Sequence, residues 1–245
     1  MKNVFVCLDC ETTGLDVEKE AIIEFAAVKF TFSEQLESME MLIDPARPIP
    51  EESTKIHHIT DAMVAGKPKI GAVLPSILEF IGDHPVVGHG IAFDINILIA
   101  SCNRLGISHK LGSIPLIDTL RLARLYGGSS INSLEALRKH FNILPQGAHR
   151  AMNDVQVNID VFKHLAKPFR STHEILERLK KPIAMAAMPL GKHKGRRFNE
   201  IPIEYLRWAV NQDFDQDLLF SLRSELKKRK QGDQFMQAGN PFSQL

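Results

Sequence analysis

The sequence predicts an α/β fold, a mixed sheet flanked by helices, followed by a small second module. Three observations carry that prediction. Apolar runs of four to eight residues closed by turn signals recur through the first half of the chain and read as buried strands. The first three are joined by short connections, which imply antiparallel hairpins, whereas the later ones alternate with helix-period segments, which implies parallel additions. Pro168 ends the first region; the charge balance also changes there, from 17 Lys+Arg against 20 Asp+Glu in residues 1–170 to 13 against 9 in residues 171–245, an acidic part that could hold cations and a basic tail that together would suit a polyanion.

Val4-Phe5-Val6-Cys7-Leu8 is the first strand, and Asp9 and Glu11 continue it before Thr12-Thr13-Gly14 turns the chain. Residues two apart share a strand face, so both carboxylates point the same way. Such a pair repels itself and becomes favourable when a divalent cation sits between the two groups. Spacing alone decides little, because Glu18-Lys19-Glu20, Asp213-Phe214-Asp215 and Asp215-Gln216-Asp217 repeat it in settings expected to be solvated. What sets Asp9 and Glu11 apart is the buried strand before them and the turn after them, at the carboxyl end where open α/β sheets place ligands. Cys7 and Cys10 have C-x-x-C spacing, but three apart on a strand they face opposite sides, and no second pair completes a zinc site. They read as two buried thiols.

Residues 22–32 and 40–43 complete the antiparallel meander, which Pro45, Pro48 and Pro50 end. Short helical segments, including 53–61, lead to a helix over 73–81 and a strand over 85–89. Ala92-Phe93-Asp94 opens a helix running to about Leu105, with Phe93, Ile97 and Ala100 and then Leu98, Cys102 and Leu105 at helical spacing, and Gly106 as its stop. Asp94 falls in the first turn, where an acid also complements the helix dipole without any ligand. A strand over 114–117 follows, then helices after Asp118 and after the N-cap Ser133. A last helix buries Ala151, Val155, Ile159 and Phe162 and ends near Leu165. Asp154 sits one turn into it, and His149 on the loop before it. Singly, an Asp on an amphipathic helix is a surface residue and a loop His has no task; together with the other acids they make four carboxylates and one imidazole.

Clustered carboxylates with few soft ligands select Mg2+ or Mn2+ over zinc. Two such ions about 4 Å apart can activate a water and stabilise the leaving oxygen of an in-line attack on a phosphodiester. His149, with an ordinary pKa of about 6.5, is of the right type to take the water's proton near neutral pH. The residues therefore predict metal-dependent phosphodiester hydrolysis.

Asp9-x-Glu11-Thr12-Thr13-Gly14, Phe93-Asp94, and His149 with Asp154 five positions later resemble the three motifs of the DnaQ-like 3′-to-5′ exonucleases, in the histidine subtype of the four-acid group. The resemblance runs over residues 1–170, and segments 55–61 and 118–124 resemble that family's connections. It implies a ribonuclease-H-like fold. By position it implies that Asp9, Glu11 and Asp154 bind the catalytic ion, with Asp9 bridging to a second ion, Asp94 assisting through water and His149 acting as general base. It further implies that Thr12 and Leu15 cradle the terminal 3′ nucleotide, Leu15 as an apolar wedge against the base, and that His57 and Phe93 line the same pocket; Phe93 equally fits a plain core role. One position departs from the pattern. Many relatives carry Asn after the His of the fourth strand, where this chain has His89-Gly90.

Ser171-Thr172-His173-Glu174 has capping-box spacing ahead of a short helix carrying Ile175, Leu176 and Leu179, and residues 171–187 are expected to form a helical linker whose 183–188 strip is too apolar to be fully solvated. Gly191-Lys192-His193-Lys194-Gly195-Arg196-Arg197 reads as a tight basic turn. An amphipathic helix with Leu218, Leu219, Leu222 and Leu226 follows, and its Lys227-Lys228-Arg229-Lys230 end is accounted for by the helix dipole and solubility. Residues 188–230 resemble the small α+β carboxyl-terminal module of the exodeoxyribonuclease X group, through the Gly191-to-Gly195 core and Tyr205-Leu206-Arg207-Trp208. Lys192, Lys194, Arg196 and Arg197 are candidates for nucleic-acid phosphate contacts, against the plainer reading of a basic turn without a ligand. Gln216-Asp217-Leu218-Leu219-Phe220 faintly resembles a sliding-clamp peptide, although Leu218 and Leu219 are better used inside the helix. From Gln231 onward the chain is polar and expected to be a disordered tail.

The expectation is thus a 3′-to-5′ exodeoxyribonuclease of DNA repair or proofreading, using two Mg2+ or Mn2+ ions and acting on DNA, with DNA polymerase or repair proteins as candidate partners. An RNA-trimming enzyme of the same fold is the alternative within enzymes, and a non-catalytic nucleic-acid or polymerase-associated scaffold the alternative outside them. No apolar run approaches the roughly 20 residues of a membrane span, and Met1-Lys2-Asn3 leads into a strand rather than a signal peptide. The expected location is cytoplasmic.

Overall fold

The computed structural model describes residues 4–126, 131–144 and 150–238. The chain divides into two compact units, Met1–Lys180 and Lys181–Leu245.

In the first unit, β1 (Phe5–Thr12) is the central strand. On one side β2 (Ile22–Phe30) pairs with it antiparallel and β3 (Gln35–Leu42) pairs antiparallel with β2. On the other, β4 (Val86–Gly88) and β5 (Leu116–Asp118) add in parallel, giving the order β3-β2-β1-β4-β5. The two-residue alternation of β1 explains its near-continuous burial. Phe5 and Cys7 face α7 (Ala151–Leu165), with the Phe162 ring 5.3 Å from Phe5 and the Cys7 thiol against the Val155 carbonyl. Val6, Leu8 and Cys10 face the other way, into a core shared with Leu74 and Ile77 of α3 (Ile70–Ile81) and Ile95, Leu98 and Cys102 of α4 (Ala92–Leu105). A sheet covered on both faces has apolar side chains at successive positions.

The connections follow local chemistry. The Thr13 N–H donates to the Ala21 carbonyl at 2.9 Å, and its hydroxyl both accepts from the Ala21 N–H and donates to Glu20. A Cβ at Gly14 would lie 3.0 Å from the Glu20 carboxyl carbon, so any larger residue there would press that side chain back by a few tenths of an ångström. α4 runs over the expected residues and stops at Gly106, in the left-handed conformation with φ +64°. The expected strand at 114–117 instead begins at Leu116, because Pro115 has no N–H to donate to the ladder. α1 (Glu51–His57), α2 (Asp61–Val64), α5 (Thr119–Tyr126), α6 (Leu134–His140) and α8 (Thr172–Leu179) complete the unit. Ser133 and Ser171 cap α6 and α8, accepting from the N–H groups of Ala136 and Glu174.

The segment expected as a linker is divided. α8 lies within the first unit, whereas the following strip is docked in the second, the Ile183 N–H donating to Asp217 at 3.0 Å and the Met185 N–H to the Ser221 hydroxyl at 2.8 Å. The second unit contains α9 (Ile203–Ala209) and α10 (Gln216–Ala238), which enclose Met188, Phe198, Ile201, Leu206, Leu218 and Leu222. Its β content among the described residues is one isolated bridge, Ala187 to Arg197. α10 continues to Ala238, so 231–238, expected in a disordered tail, is helical. Residues 239–245 of that tail lie outside the described residues. Among the described residues no helix is long and apolar enough to cross a membrane.

Candidate active site

Asp9 and Glu11 project from the last residues of β1, and Asp154 from the first turn of α7. One oxygen from each lies within 4.8 Å of the others, and all three side chains are partly open to solvent. The parity of β1 sets this up, since the face that carries Cys7 toward α7 also carries Asp9 and Glu11. Asp94 enters from the first turn of α4, just beyond β4, and is buried. Its Oδ1 accepts from the Cys10 N–H at 2.9 Å, and it stands outside the three-residue cluster. His149 lies outside the described residues.

Electrostatics make the cluster costly as it stands. Burial, and then the charges of Asp94, Glu11, Asp154 and Glu24, raise the Asp9 carboxyl well above its usual range. Burial followed by Asp154, Glu24 and Asp94 pushes Glu11 up to about 7, against a downward pull from Arg150. Asp94 is also pushed up to about 7, by burial, despite the opposing hydrogen bond from the Cys10 N–H. Asp9 and Glu11, which resist ionisation, each place an oxygen beside one from Asp154, and together the three form a donor set that a hard divalent cation fits. The neighbouring thiols offer no soft alternative, because burial pushes Cys7 and Cys10 well up as well.

Glu24 carries none of the motif signals that mark the other acids. It is fully buried in β2, directly opposite Glu11 in the register. Its carboxylate accepts from the Arg150 guanidinium through Nε at 3.0 Å and through Nη2, and from the Ala151 N–H at 3.0 Å. The clamp satisfies an otherwise orphaned N–H at the start of α7 and fixes the turn that carries Asp154. The available signal was a Glu inside the apolar run Ile22-Ile23-Glu24-Phe25-Ala26, since a buried charge demands a partner.

Residues 6–162 match the family model described as Exonuclease (RNase_T). This chain belongs to the exonuclease family. It is 36% identical over 163 residues to the DNA polymerase III subunit epsilon of Aquifex aeolicus, covering 66% of this chain and 80% of that protein. It is 34% identical over 172 residues to the PolC-type DNA polymerase III of Clostridium perfringens, covering 70% of this chain but only 12% of that much longer protein. The solved structure of exonuclease X in complex with 5′ overhanging duplex DNA superposes with a TM-score of 0.57 at 29% identity, over 72% of this chain and 99% of that one. Residues 176–225 match a second model, described as putative quorum-sensing-regulated virulence factor. The family and the mixed sheet flanked by helices expected from the motifs are borne out.

The other expected residues of this exonuclease-family chain are distributed as follows. Leu15 is 87% exposed just beyond β1, and Thr12 is buried with its hydroxyl on the Gly14 carbonyl at 2.7 Å. His57 is buried, and its Nδ1 accepts from the Ile59 N–H at 3.0 Å, which leaves the ring proton on Nε2, where no partner meets it among the described residues. Burial lowers its pKa. Phe93 is half-buried. Gly90 has φ +75° and donates its N–H to Asp118 at 3.0 Å. Glycine and asparagine are the residues that readily adopt this left-handed conformation, so the Asn expected from the motif resemblance would fit the same turn. Lys192, Lys194, Arg196 and Arg197 are all exposed in the second unit. A cleft of about 370 Å³ between Phe32, Lys163, Lys167 and Arg170 is separate from the acids, beginning roughly 13 Å beyond Asp154 along α7 at about 1.5 Å per residue.

Proposed function

We propose that this chain is a metal-dependent 3′-to-5′ exodeoxyribonuclease that releases nucleoside monophosphates from a free DNA 3′ end, in repair or proofreading. The observation that carries the reading is the convergence of Asp9, Glu11 and Asp154 at the carboxyl end of the central strand. The epsilon and exonuclease X likenesses support DNA as the polymer.

Asp9, Glu11 and Asp154 would hold Mg2+ or Mn2+, with Asp94 assisting. Two divalent ions bound there supply Lewis acidity, lowering the pKa of a water and neutralising charge on the leaving oxygen. His149 takes the proton of the attacking water, and Glu24 and Arg150 hold the start of α7 in place. His57 offers its Nε2–H to the terminal nucleotide, Thr12 and Phe93 complete that pocket, and exposed Leu15 wedges against the base. Residues 1–170 carry the hydrolysis, and Lys192, Lys194, Arg196 and Arg197 of the 188–230 module contact phosphates.

The test is product analysis with purified protein and Mg2+ or Mn2+, offering 3′-labelled and 5′-labelled single-stranded DNA and RNA side by side. Stepwise loss from the DNA 3′ end, abolished by EDTA, is expected. Preferred trimming of RNA would change the substrate, and hydrolysis of neither polymer would overturn the proposal.

A further inference from the structure

We infer that Trp208 is a base-stacking platform for single-stranded DNA, set beside the basic turn of the second unit. The inference rests on the DNA-processing role proposed above but concerns a site away from the acids.

Trp208 is the only tryptophan in the chain and is 52% exposed. It stands on α9, whose Leu206 and Ala209 are fully buried, so the helix has a packed core face and leaves its largest ring outside it. Its position is fixed by aromatic neighbours. The Tyr205 ring lies 5.2 Å from Trp208, and the His193 ring meets Tyr205 edge-on at 4.4 Å. His193 is buried and belongs to the basic turn itself. At Gly191, where φ is +70°, a Cβ would come within 3.1 Å of the Tyr205 hydroxyl, so the turn packs directly on the same ring. Turn, Tyr205 and Trp208 are thereby linked through ring and backbone contacts.

The charge of this surface matches a polyanion. Between Gly191 and Trp208 the chain carries Lys192, Lys194, Arg196, Arg197 and Arg207 against Glu200 and Glu204. All five cations are exposed. An exposed indole beside several cations is the pairing that single-stranded nucleic acid requires, since the cations track phosphates and the ring stacks on a base. A duplex hides its base faces in its own stack, so the platform selects unpaired strands. Carrying such a site in the same chain as the nuclease unit raises the local concentration of strand there without any new contact at the acids.

The single tryptophan makes the inference directly measurable. The full chain in EDTA, where metal-dependent hydrolysis is blocked, is titrated with an oligothymidylate while its intrinsic fluorescence is followed. Saturable quenching is expected, together with a loss of affinity of about tenfold for Trp208→Ala by anisotropy of the labelled oligonucleotide. Trp208→Phe, which keeps a ring, should retain most of the affinity. Binding without quenching, equal affinity of the alanine variant and the wild type, or quenching by an acidic peptide but not by the oligonucleotide would each overturn the inference. Hydrolysis is scored separately on the wild type with a 3′-labelled strand and Mn2+. A protein that is quenched but does not hydrolyse would keep the platform and overturn the nuclease reading.

Discussion

Glu24 and Glu11 stand opposite each other on adjacent strands, two acids where a sheet favours unlike charges. The pairing is tolerated because Arg150 and the Ala151 N–H hold Glu24 from α7. Arg150→Ala would leave a buried carboxylate without its cation, at a cost of about 3 kcal/mol, the lower end for a broken buried pair because the guanidinium is partly open to water. Urea denaturation measures it, and an unchanged midpoint would contradict the clamp. Asp9 and Glu11 could be read from strand parity, which is local, and Asp154 from the motif resemblance. Glu24 could not, because its partner lies 126 residues away and nothing near it in sequence names that partner.

The same acids fix a pH response. Glu11 and Asp94 ordinarily titrate near 4.5 and 3.8, and in the fold both hold their protons to about 7. Across that window the folded chain binds more protons than the unfolded one, so raising the pH removes stability, and the loss levels off once both states are ionised. The melting temperature in EDTA should therefore fall between about pH 5 and about pH 8 on account of these groups, and Mg2+ or Mn2+ should restore it most at the upper end. A metal-free melting temperature independent of pH, with no recovery on adding the ion, would contradict this electrostatic account.

At the scale of the element, what could be read from the sequence was set by where the stop signals lie. α4 carries an apolar stripe with a glycine immediately after it, and it spans what those signals indicate. β5 is shorter than its apolar run because Pro115 interrupts the donors, and α10 outlasts its apolar stripe because polar residues continue a helix once it is nucleated. In the turn after β4 the chain has Gly90 where the motif resemblance leads to an expected Asn, and the left-handed backbone there suits either residue. Gly90→Asn should leave the melting temperature nearly unchanged, whereas Gly90→Ala should cost about 1–2 kcal/mol through the left-handed φ alone. Nothing stands within 4 Å of the position a Cβ would take, so a large loss in the Asn variant would contradict the conformational explanation.

Over the whole molecule, the change from an acidic first part to a basic second part is legible in the residue counts, but composition does not place the boundary between the units. The strip 183–188 is flanked by Pro182 and Pro189, as a linker would be, and has the apolar residues of a core, and its hydrogen bonds to Asp217 and Ser221 decide between them. If the basic turn contacts phosphates, neutralising Lys192, Lys194, Arg196 and Arg197 together should weaken single-strand binding and reduce its logarithmic salt slope by up to about 3. An unchanged affinity and slope would return those residues to the role of a solvated surface.

On the proposed function, three carboxylates from β1 and α7 hold the metal needed to cleave the strand. The measurement that tests it most directly is release of label from 3′-labelled single-stranded DNA by the wild type, Asp9→Ala and Asp154→Ala at saturating Mn2+, with circular dichroism to establish that each variant is folded. Stepwise loss from the wild type is expected, with a decrease of at least about a thousandfold in each folded variant. Retained hydrolysis in either folded variant would contradict it.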